Sequence, residues 1–248
     1  MVMKKINEKK KKVAKPKKLD KKEFNENELS KKMVSQKENK QLFWFFVIIG
    51  IIFAIFLIPY LWVESLKSFE HGGVEWMVED YPEPTGTIYH GIFGALNGEN
   101  LNYNIFLRND PRKNDVSAEG TFIDFKYGGI VSMTPEVDKC RGELSRVMLD
   151  LAAFLRQGVG VGSLVPGSTN ESVAIENNRK FARCDTVSDR TLVVVELGDT
   201  SVKQDEENPF CYVISAKDCN DVSSVEKFIT KTIEDFTLAK KAIEKEKA

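Results

Sequence analysis

The chain has 248 residues, of which 42% are hydrophobic, and its formal net charge is −1. This small value hides three segments of different character. Residues 1–40 contain fifteen Lys and six acidic residues, residues 41–63 contain no charged residue, and residues 64–248 carry a net charge of −10. Because an acidic domain repels phosphate groups, the composition argues against nucleic-acid binding by the C-terminal part.

The apolar run from Leu42 to Val63 predicts a transmembrane helix. Its 22 residues span roughly 33 Å as a helix, which matches the hydrocarbon core of a bilayer. Aromatic residues cluster at both ends, where membrane interfaces favour them. A cleaved signal peptide is the competing interpretation, but the run is too long and no small-x-small cleavage site follows it. The segment is therefore predicted to be an uncleaved anchor.

The Lys-rich tail, residues 1–41, sets the predicted orientation. Because Lys and Arg are favoured on the cytoplasmic side, the tail is expected inside the cell and the C-terminal domain outside it. A segment with so few apolar residues is expected to be disordered or only transiently helical. It could bind anionic lipid or, less readily, nucleic acid, or it could serve only to fix the topology. Residues 64–85 are predicted to be a connector, and residues 86–248 to be the folded domain.

The first half of that domain is predicted to contain two hairpins and a helix. The first hairpin joins TIYHGIFGAL to NLNYNIFLR through an Asn97-Gly98 turn, and the second joins TFIDFK to IVSMT. A helix is expected from Pro135 to Gln157, with Thr134 as its N-cap and an apolar stripe at helical spacing. VGVGSLV then predicts a strand that returns to the sheet.

The second half is predicted to continue the sheet and to end in a helix. Residues 166–178 are expected to be a loop. The predicted strands that follow are KFARC, TLVVVELG, TSVKQ and PFCYVISA, and an amphipathic helix begins near Asp221. Strand, Cys and helix occur in that order around both Cys140 and Cys219, which raises the question of an internal duplication. The fold class is therefore α+β, with a mixed or antiparallel sheet and two amphipathic helices packed on it.

The four cysteines all lie in the segment predicted to be exported. An even number of cysteines in an oxidising compartment predicts two disulfides, with buried free thiols and a metal site as the alternatives. The spacings do not fit a zinc pattern, and connectivity cannot be deduced from the sequence. The disulfide candidates are Cys140, Cys184, Cys211 and Cys219.

Other motifs give weak functional signals. The Gly-rich segment from Gly158 to Ser168 follows a predicted helix and lacks Lys, so it favours a helix end and a packed strand over a phosphate loop. His71 and His90 lack an accompanying nucleophile motif. Asn170 begins a glycosylation sequon in a predicted loop. A polar turn that could contact an anion or a partner comprises Arg108, Asn109, Asp110 and Arg112. No catalytic residue, cofactor or metal site is predicted.

The Lys-rich tail, the single anchor and phrases such as YNIFLRNDPRKND and CYVISAKDC make the chain resemble single-pass archaeal membrane proteins of no known activity. The resemblance implies a compartment and no chemistry. We therefore expect a non-enzymatic module, anchored in the cell membrane, that binds envelope proteins or itself. The alternatives are an extracytoplasmic enzyme or thiol-redox protein, and a ligand sensor coupled to the cytoplasmic tail.

Overall fold

The computed structural model describes residues 26–65, 67–94 and 102–246 and divides the chain into two units near Trp62. The first unit is built on helix α1 (Glu26–Ser65), which contains the apolar run Leu42–Val63. That run has a mean hydropathy of 2.9 and is long and apolar enough to cross a membrane. Residues 26–41 are helical although disorder or only transient helix was predicted, because extending an existing helix costs less than nucleating one. Residues 1–25 lie outside the described residues.

The second unit begins with a four-stranded antiparallel sheet. Its strands follow one another in chain order and are β1 (Ser68–His71), β2 (Val74–Asp80), β3 (Thr87–Gly94) and β4 (Asn102–Leu107). The prediction that residues 64–85 form a connector is therefore wrong, because β1 and β2 lie within them. The strands β3 and β4 of the first predicted hairpin are confirmed, whereas the Asn97-Gly98 turn lies outside the described residues.

A seven-stranded mixed sheet follows in the chain. Strands β6, β7, β8, β9 and β11 run parallel to one another, and β10 and β5 run antiparallel to them. In spatial order the strands are β5 (Ser117–Glu119), β10 (Ser201–Gln204), β11 (Cys211–Ala216), β9 (Thr191–Leu197), β6 (Gly129–Met133), β7 (Leu164–Ser168) and β8 (Lys180–Phe181).

The second predicted hairpin does not form, because residues 121–126 are not a strand. Strand β6 is already paired with β7 on one side and β9 on the other, so it has no free edge for a hairpin partner. Instead Phe122 is fully buried and stacks on Tyr212, with ring centroids 5.4 Å apart. The aromatic side chains of this segment therefore fill the core rather than alternate across a sheet.

The predicted helix from Pro135 to Gln157 is divided into three parts. These are α2 (Pro135–Asp138), α3 (Glu143–Ala153) and a π-helical turn (Phe154–Val159). The break contains Cys140 and Gly142, whose φ of 120° is one that only Gly adopts readily. Thr134 occupies the N-cap position, but its side chain makes no capping hydrogen bond. The predicted strand–helix–strand unit is formed by β6, α3 and β7, and its two strands pair in parallel, but β7 covers only the last two residues of VGVGSLV and extends into the predicted loop.

Two further helices complete the unit. Helix α4 (Glu171–Glu176) lies in the segment that was predicted to be only loop, and α5 (Ser223–Glu246) is the predicted C-terminal helix. Asp221 accepts a hydrogen bond from the Ser223 main-chain N–H at 3.0 Å, which caps the start of α5. The fold is α+β, with one antiparallel and one mixed sheet.

Helices α3 and α5 lie between the two sheets and share one hydrophobic core with both. The core includes Trp76 and Leu107 from the four-stranded sheet, Leu151 and Phe228 from the helices, and Val193 from the mixed sheet. Gly91 is required here, because a Cβ atom at that position would lie 2.8 Å from the Trp76 ring. A smaller cluster, with Leu192 and Val194, lies on the opposite face of the mixed sheet. The four-stranded sheet therefore has one face on the core and one face outside it.

Candidate functional site

The face of the four-stranded sheet that points away from the helices is the main candidate site, and we call it the outer face. Strand register places Met77 of β2 opposite His90 of β3, and His90 opposite Phe106 of β4. Because paired residues point to the same side of a sheet, these three side chains form a row across the outer face. The alternate residues, including Trp76 and Ile105, point into the core.

His90 is the centre of a polar network on this face. Its Nδ1 atom lies 3.1 Å from Glu79 Oε1, and its Nε2 atom lies 3.0 Å from Asn104 Oδ1. The Phe106 ring stacks on the imidazole, with centroids 4.6 Å apart, and only 14% of the His90 side chain is exposed. Strands β2, β3 and β4 are thus linked by side chains as well as by their main chains.

Glu79 has a second partner at the end of its strand. The Tyr81 hydroxyl donates to Glu79 Oε2 at 2.5 Å. This hydrogen bond and the contact with His90 lower the pKa of Glu79, and the carboxylate in turn raises the pKa of Tyr81. Glu79 is therefore held in its charged form on the outer face.

The centre of the outer face is apolar, and the charged side chains on this face are acidic. Phe106 is 51% exposed, Ile92 is 40% exposed and Met77 is 38% exposed. Three acidic residues, Glu70, Glu75 and Glu79, lie on this face by strand register, and strands β1 to β4 contain no Lys or Arg. Such a surface can bind a partner that combines apolar and basic side chains.

The side chains of the predicted polar turn after β4 contact other residues of the same domain. Arg112 donates to both oxygens of Asp110, at 2.9 and 2.8 Å, and its guanidinium lies 3.7 Å from the centre of the Phe69 ring. These hydrogen bonds lower the pKa of Asp110. The Arg108 guanidinium donates to the Thr85 carbonyl. Both guanidiniums therefore make internal contacts, although Arg108, Asn109 and Asp110 also line an open groove of about 670 Å³.

Glu226, which sequence analysis did not single out, fastens this turn to α5. Its carboxylate is 1% exposed and accepts from the main-chain N–H groups of Arg108 and Asn109 at 2.5 and 3.1 Å. The Asn109 side-chain amide donates to it as well, at 2.8 Å. Burial raises the pKa of Glu226, and the three hydrogen bonds offset this only in part.

The four cysteines form two pairs at disulfide distance. The Sγ atoms are 2.01 Å apart in Cys140–Cys219 and 2.07 Å apart in Cys184–Cys211. The first pair joins the two similar strand–Cys–helix units, and the Leu144 N–H donates to the Cys219 carbonyl beside it. The second pair links Cys184, in the segment after β8, to Cys211 of β11, which belongs to the smaller hydrophobic cluster. The prediction of disulfide pairing is confirmed.

A cleft of about 520 Å³ lies beside the second disulfide, on the face of the mixed sheet opposite the helices. Four carboxylates line it, but Glu196 accepts from the Ser215 hydroxyl and Asp205 accepts from two main-chain N–H groups. In the described ranges, no three His, Cys, Asp or Glu side chains converge as metal ligands would. The cleft is therefore a polar recess whose carboxylates are partly used by the fold itself.

The remaining candidate residues lie apart from the outer face. His71 Nε2 is 3.2 Å from Glu234 Oε1, which links the β1–β2 turn to α5. Asn170 is exposed and caps α4 by accepting from the Val173 N–H, so its glycosylation stays a prediction. The Gly-rich segment contains the end of the π-helical turn and all of β7.

Sequence analysis missed the residues that form the outer face around His90. The alternation of Glu75, Met77 and Glu79 with apolar residues was a signal for β2. It was overlooked because residues 64–85 were assigned to a connector.

Comparison of the chain with protein-family models, with curated proteins and with solved structures gave no match.

Proposed function

We propose that this protein is a single-pass membrane protein whose acidic C-terminal domain lies outside the cytoplasm and binds an envelope protein. The outer face is the observation that carries the proposal, since it combines exposed Phe106, Ile92 and Met77 with three carboxylates, and strands β1–β4 contain no Lys or Arg. A partner with apolar and basic side chains fits this surface.

Two observations support the orientation. The excess of Lys before Leu42 favours a cytoplasmic N-terminus, and its tail is proposed to contact anionic lipid headgroups. The two cysteine pairs favour an oxidising compartment, where disulfides persist. Both observations favour the same side of the membrane for the C-terminal domain.

Binding is favoured over catalysis by the surroundings of His90. Its described contacts are a carboxylate, an amide and a phenyl ring, from Glu79, Asn104 and Phe106. A hydrolytic site would need a hydroxyl or thiol nucleophile within reach of the imidazole. The network instead holds three strands together and orients the aromatic ring above them.

The test is site-specific photo-cross-linking of the full chain in its native membrane, followed by mass spectrometry. A photoreactive phenylalanine at Phe106 is expected to capture the same envelope protein repeatedly. A matched probe at Tyr127, which is 82% exposed but lies outside β1–β4, is expected not to capture it.

A second variant, in which the tail carries neutral residues that preserve insertion, separates the ectodomain from the tail. Capture at position 106 should survive this change. Cross-links between two copies would identify the partner as the protein itself. The absence of specific capture at position 106 would refute the proposal, and enrichment of lipid or nucleic acid by the tail would then identify the tail as the active part.

A further inference from the structure

Strand β4 forms the least protected sheet edge in the part of the chain that the structure describes. The two sheets have four edge strands, and the other three have four, three and two residues and each contain a charged residue. Strand β4 has six residues, none of them charged and none of them proline. Short length, charge and proline are the means by which proteins usually block edge-to-edge pairing.

The free side of β4 offers unused main-chain groups. Among the described residues, no main-chain hydrogen bond reaches β4 from outside its own sheet. An edge of six residues is about 20 Å long, which is enough for an extended segment to add a further strand. Pairing of that kind binds through the main chain and selects through alternate side chains.

The side chains of the outer face near this edge favour a partner segment that carries Lys or Arg. A fifth strand would lie about 4.8 Å from β4 and would place its outward side chains beside Asn104 and Phe106. The exposed Phe106 ring can accept a Lys or Arg stem and its cation. Glu79 and Glu75 lie on β2, two strands from Phe106, and they add a longer-range attraction for such a cation that salt partly screens.

The same charges disfavour a second copy as the occupant. Two β4 strands paired together would bring no basic side chain to the joint sheet, because strands β1 to β4 contain no Lys or Arg. The residues after the anchor carry a net charge of −10, so two such domains repel each other. The occupant is therefore a segment of different composition.

From these observations we infer that β4 accepts a fifth strand from the partner protein, supplied by an extended segment in which apolar residues alternate with Lys or Arg. This inference rests on the proposed function, since it names the edge and the kind of segment by which the envelope partner binds. The apolar side chains of that segment continue the core face of the sheet, and its cations lie on the outer face.

The test uses the full chain in nanodiscs of neutral lipid and a synthetic nine-residue peptide in which Lys and Val alternate. Binding is measured by calorimetry, and hydrogen exchange locates it. Peptide binding is expected to protect main-chain amides of β4 and to leave those of β1 unchanged. A peptide N-methylated on one edge keeps its charges but loses main-chain donors, so it should bind at least tenfold more weakly.

Two variants with the same charge change separate edge pairing from general attraction to an acidic surface. Asn104→Lys places a cation on the free edge, whereas Ser68→Lys places one on the outer face at the opposite edge. The first is expected to weaken binding at least tenfold and the second less than threefold. Because Asn104 contacts His90, Asn102→Lys repeats the test if Asn104→Lys lowers the melting temperature.

Several outcomes would overturn the inference. These are equal binding of the N-methylated peptide, equal effects of the two Lys variants, protection outside β4, or a peptide-free dimer that Asn102→Lys dissociates. If any one of these outcomes is found while photo-cross-linking at position 106 still captures an envelope protein, the proposed function stands and only edge pairing is wrong. If cross-linking also fails, the proposed function is wrong.

Discussion

Replacement of Glu226 should reveal how firmly the turn after β4 is held to α5. Glu226→Ala leaves three N–H donors without their acceptor: two main-chain groups, at Arg108 and Asn109, and the Asn109 side-chain amide. An unsatisfied buried donor costs about 1–3 kcal/mol, and water can reach some of the space that is vacated. We therefore expect the free energy of unfolding to fall by about 3 kcal/mol, or about 6–12 °C in melting temperature for a domain of this size.

Glu226→Gln should be less damaging, because the amide oxygen can still accept from one or two of these donors and no charge is buried. The control is Glu143→Gln at the start of α3, whose side chain is 49% exposed and pairs with Arg146. An exposed pair of this kind contributes about 0–1 kcal/mol. The expected order of destabilisation is therefore Glu226→Ala, then Glu226→Gln, then Glu143→Gln.

The pH dependence supplies an independent check. Burial raises the pKa of Glu226 above its ordinary value of 4.5, so the folded state takes up the proton before the unfolded state does. The wild-type protein therefore gains stability from this group as the pH falls from the raised value through 4.5, and it loses that gain as the pH rises. Glu226→Gln lacks this gain, so the difference between the two proteins should widen as the pH falls.

The assay is urea unfolding of the full chain in detergent micelles, followed by tryptophan fluorescence. Trp76 is 1% exposed in the core, and replacing Trp44 and Trp62 of helix α1 with Phe leaves it as the only tryptophan. If Glu226→Ala were no more destabilising than Glu143→Gln, the carboxylate would not be holding the turn. A difference between wild type and Glu226→Gln that narrows at low pH would contradict the direction of the pKa shift.

Three further predictions concern the proposed topology, the cysteine pairs and the outer face. Protease added to intact cells should degrade residues 64–248 and spare the tail, and protection of the domain would reverse the topology. Replacing Cys140 and Cys219 with Ala removes a loop closure over 79 residues and should cost about 4.5 kcal/mol in urea unfolding, whereas replacing Cys184 and Cys211, which close 27 residues, should cost about 3.5 kcal/mol. Four alkylatable thiols in the native protein would contradict both predicted free energies, because neither disulfide would then be formed. In an NMR titration the Glu79 carboxyl should ionise below its usual range, and Tyr81→Phe should move its pKa upward because the first cause of the shift is then removed. An unchanged Glu79 titration in that variant would argue against the Tyr81 hydrogen bond.

The elements that sequence analysis predicted correctly are those whose pattern is local. The uncharged run from Leu42 to Val63 predicts a long apolar helix from composition alone. Strands β9 and β11 are β-branched runs bounded by turn residues, and the apolar stripe after Ser223 predicts α5. The even number of cysteines in one segment predicted disulfides, because compartment and count are both visible in a sequence.

The site could not be predicted, because it depends on which strands become neighbours. Glu79, His90 and Asn104 are 11 and 14 residues apart in the chain and meet only through the registers β2–β3 and β3–β4. The cysteine connectivity has the same origin. Cys140 and Cys219 are 79 residues apart and are brought together by two parallel strands of one sheet.

Tertiary contacts also overrode local preference in two segments. The alternation in residues 121–126 predicts a strand, but Phe122 is buried against the rings of Tyr212 and Phe228 instead. Strand β6 is paired on both sides and has no free edge for this segment. The apolar stripe of Pro135 to Gln157 predicts one helix, but the bond from Cys140 to Cys219 and the positive φ of Gly142 interrupt it. The sequence alone determined the long apolar helix, the charge asymmetry, the helical stripes and the presence of paired cysteines, since each depends on composition or on residues near one another in the chain. Only the tertiary structure decided the outer face, the free edge of β4 and the buried Glu226, because each depends on long-range pairing that no local pattern encodes.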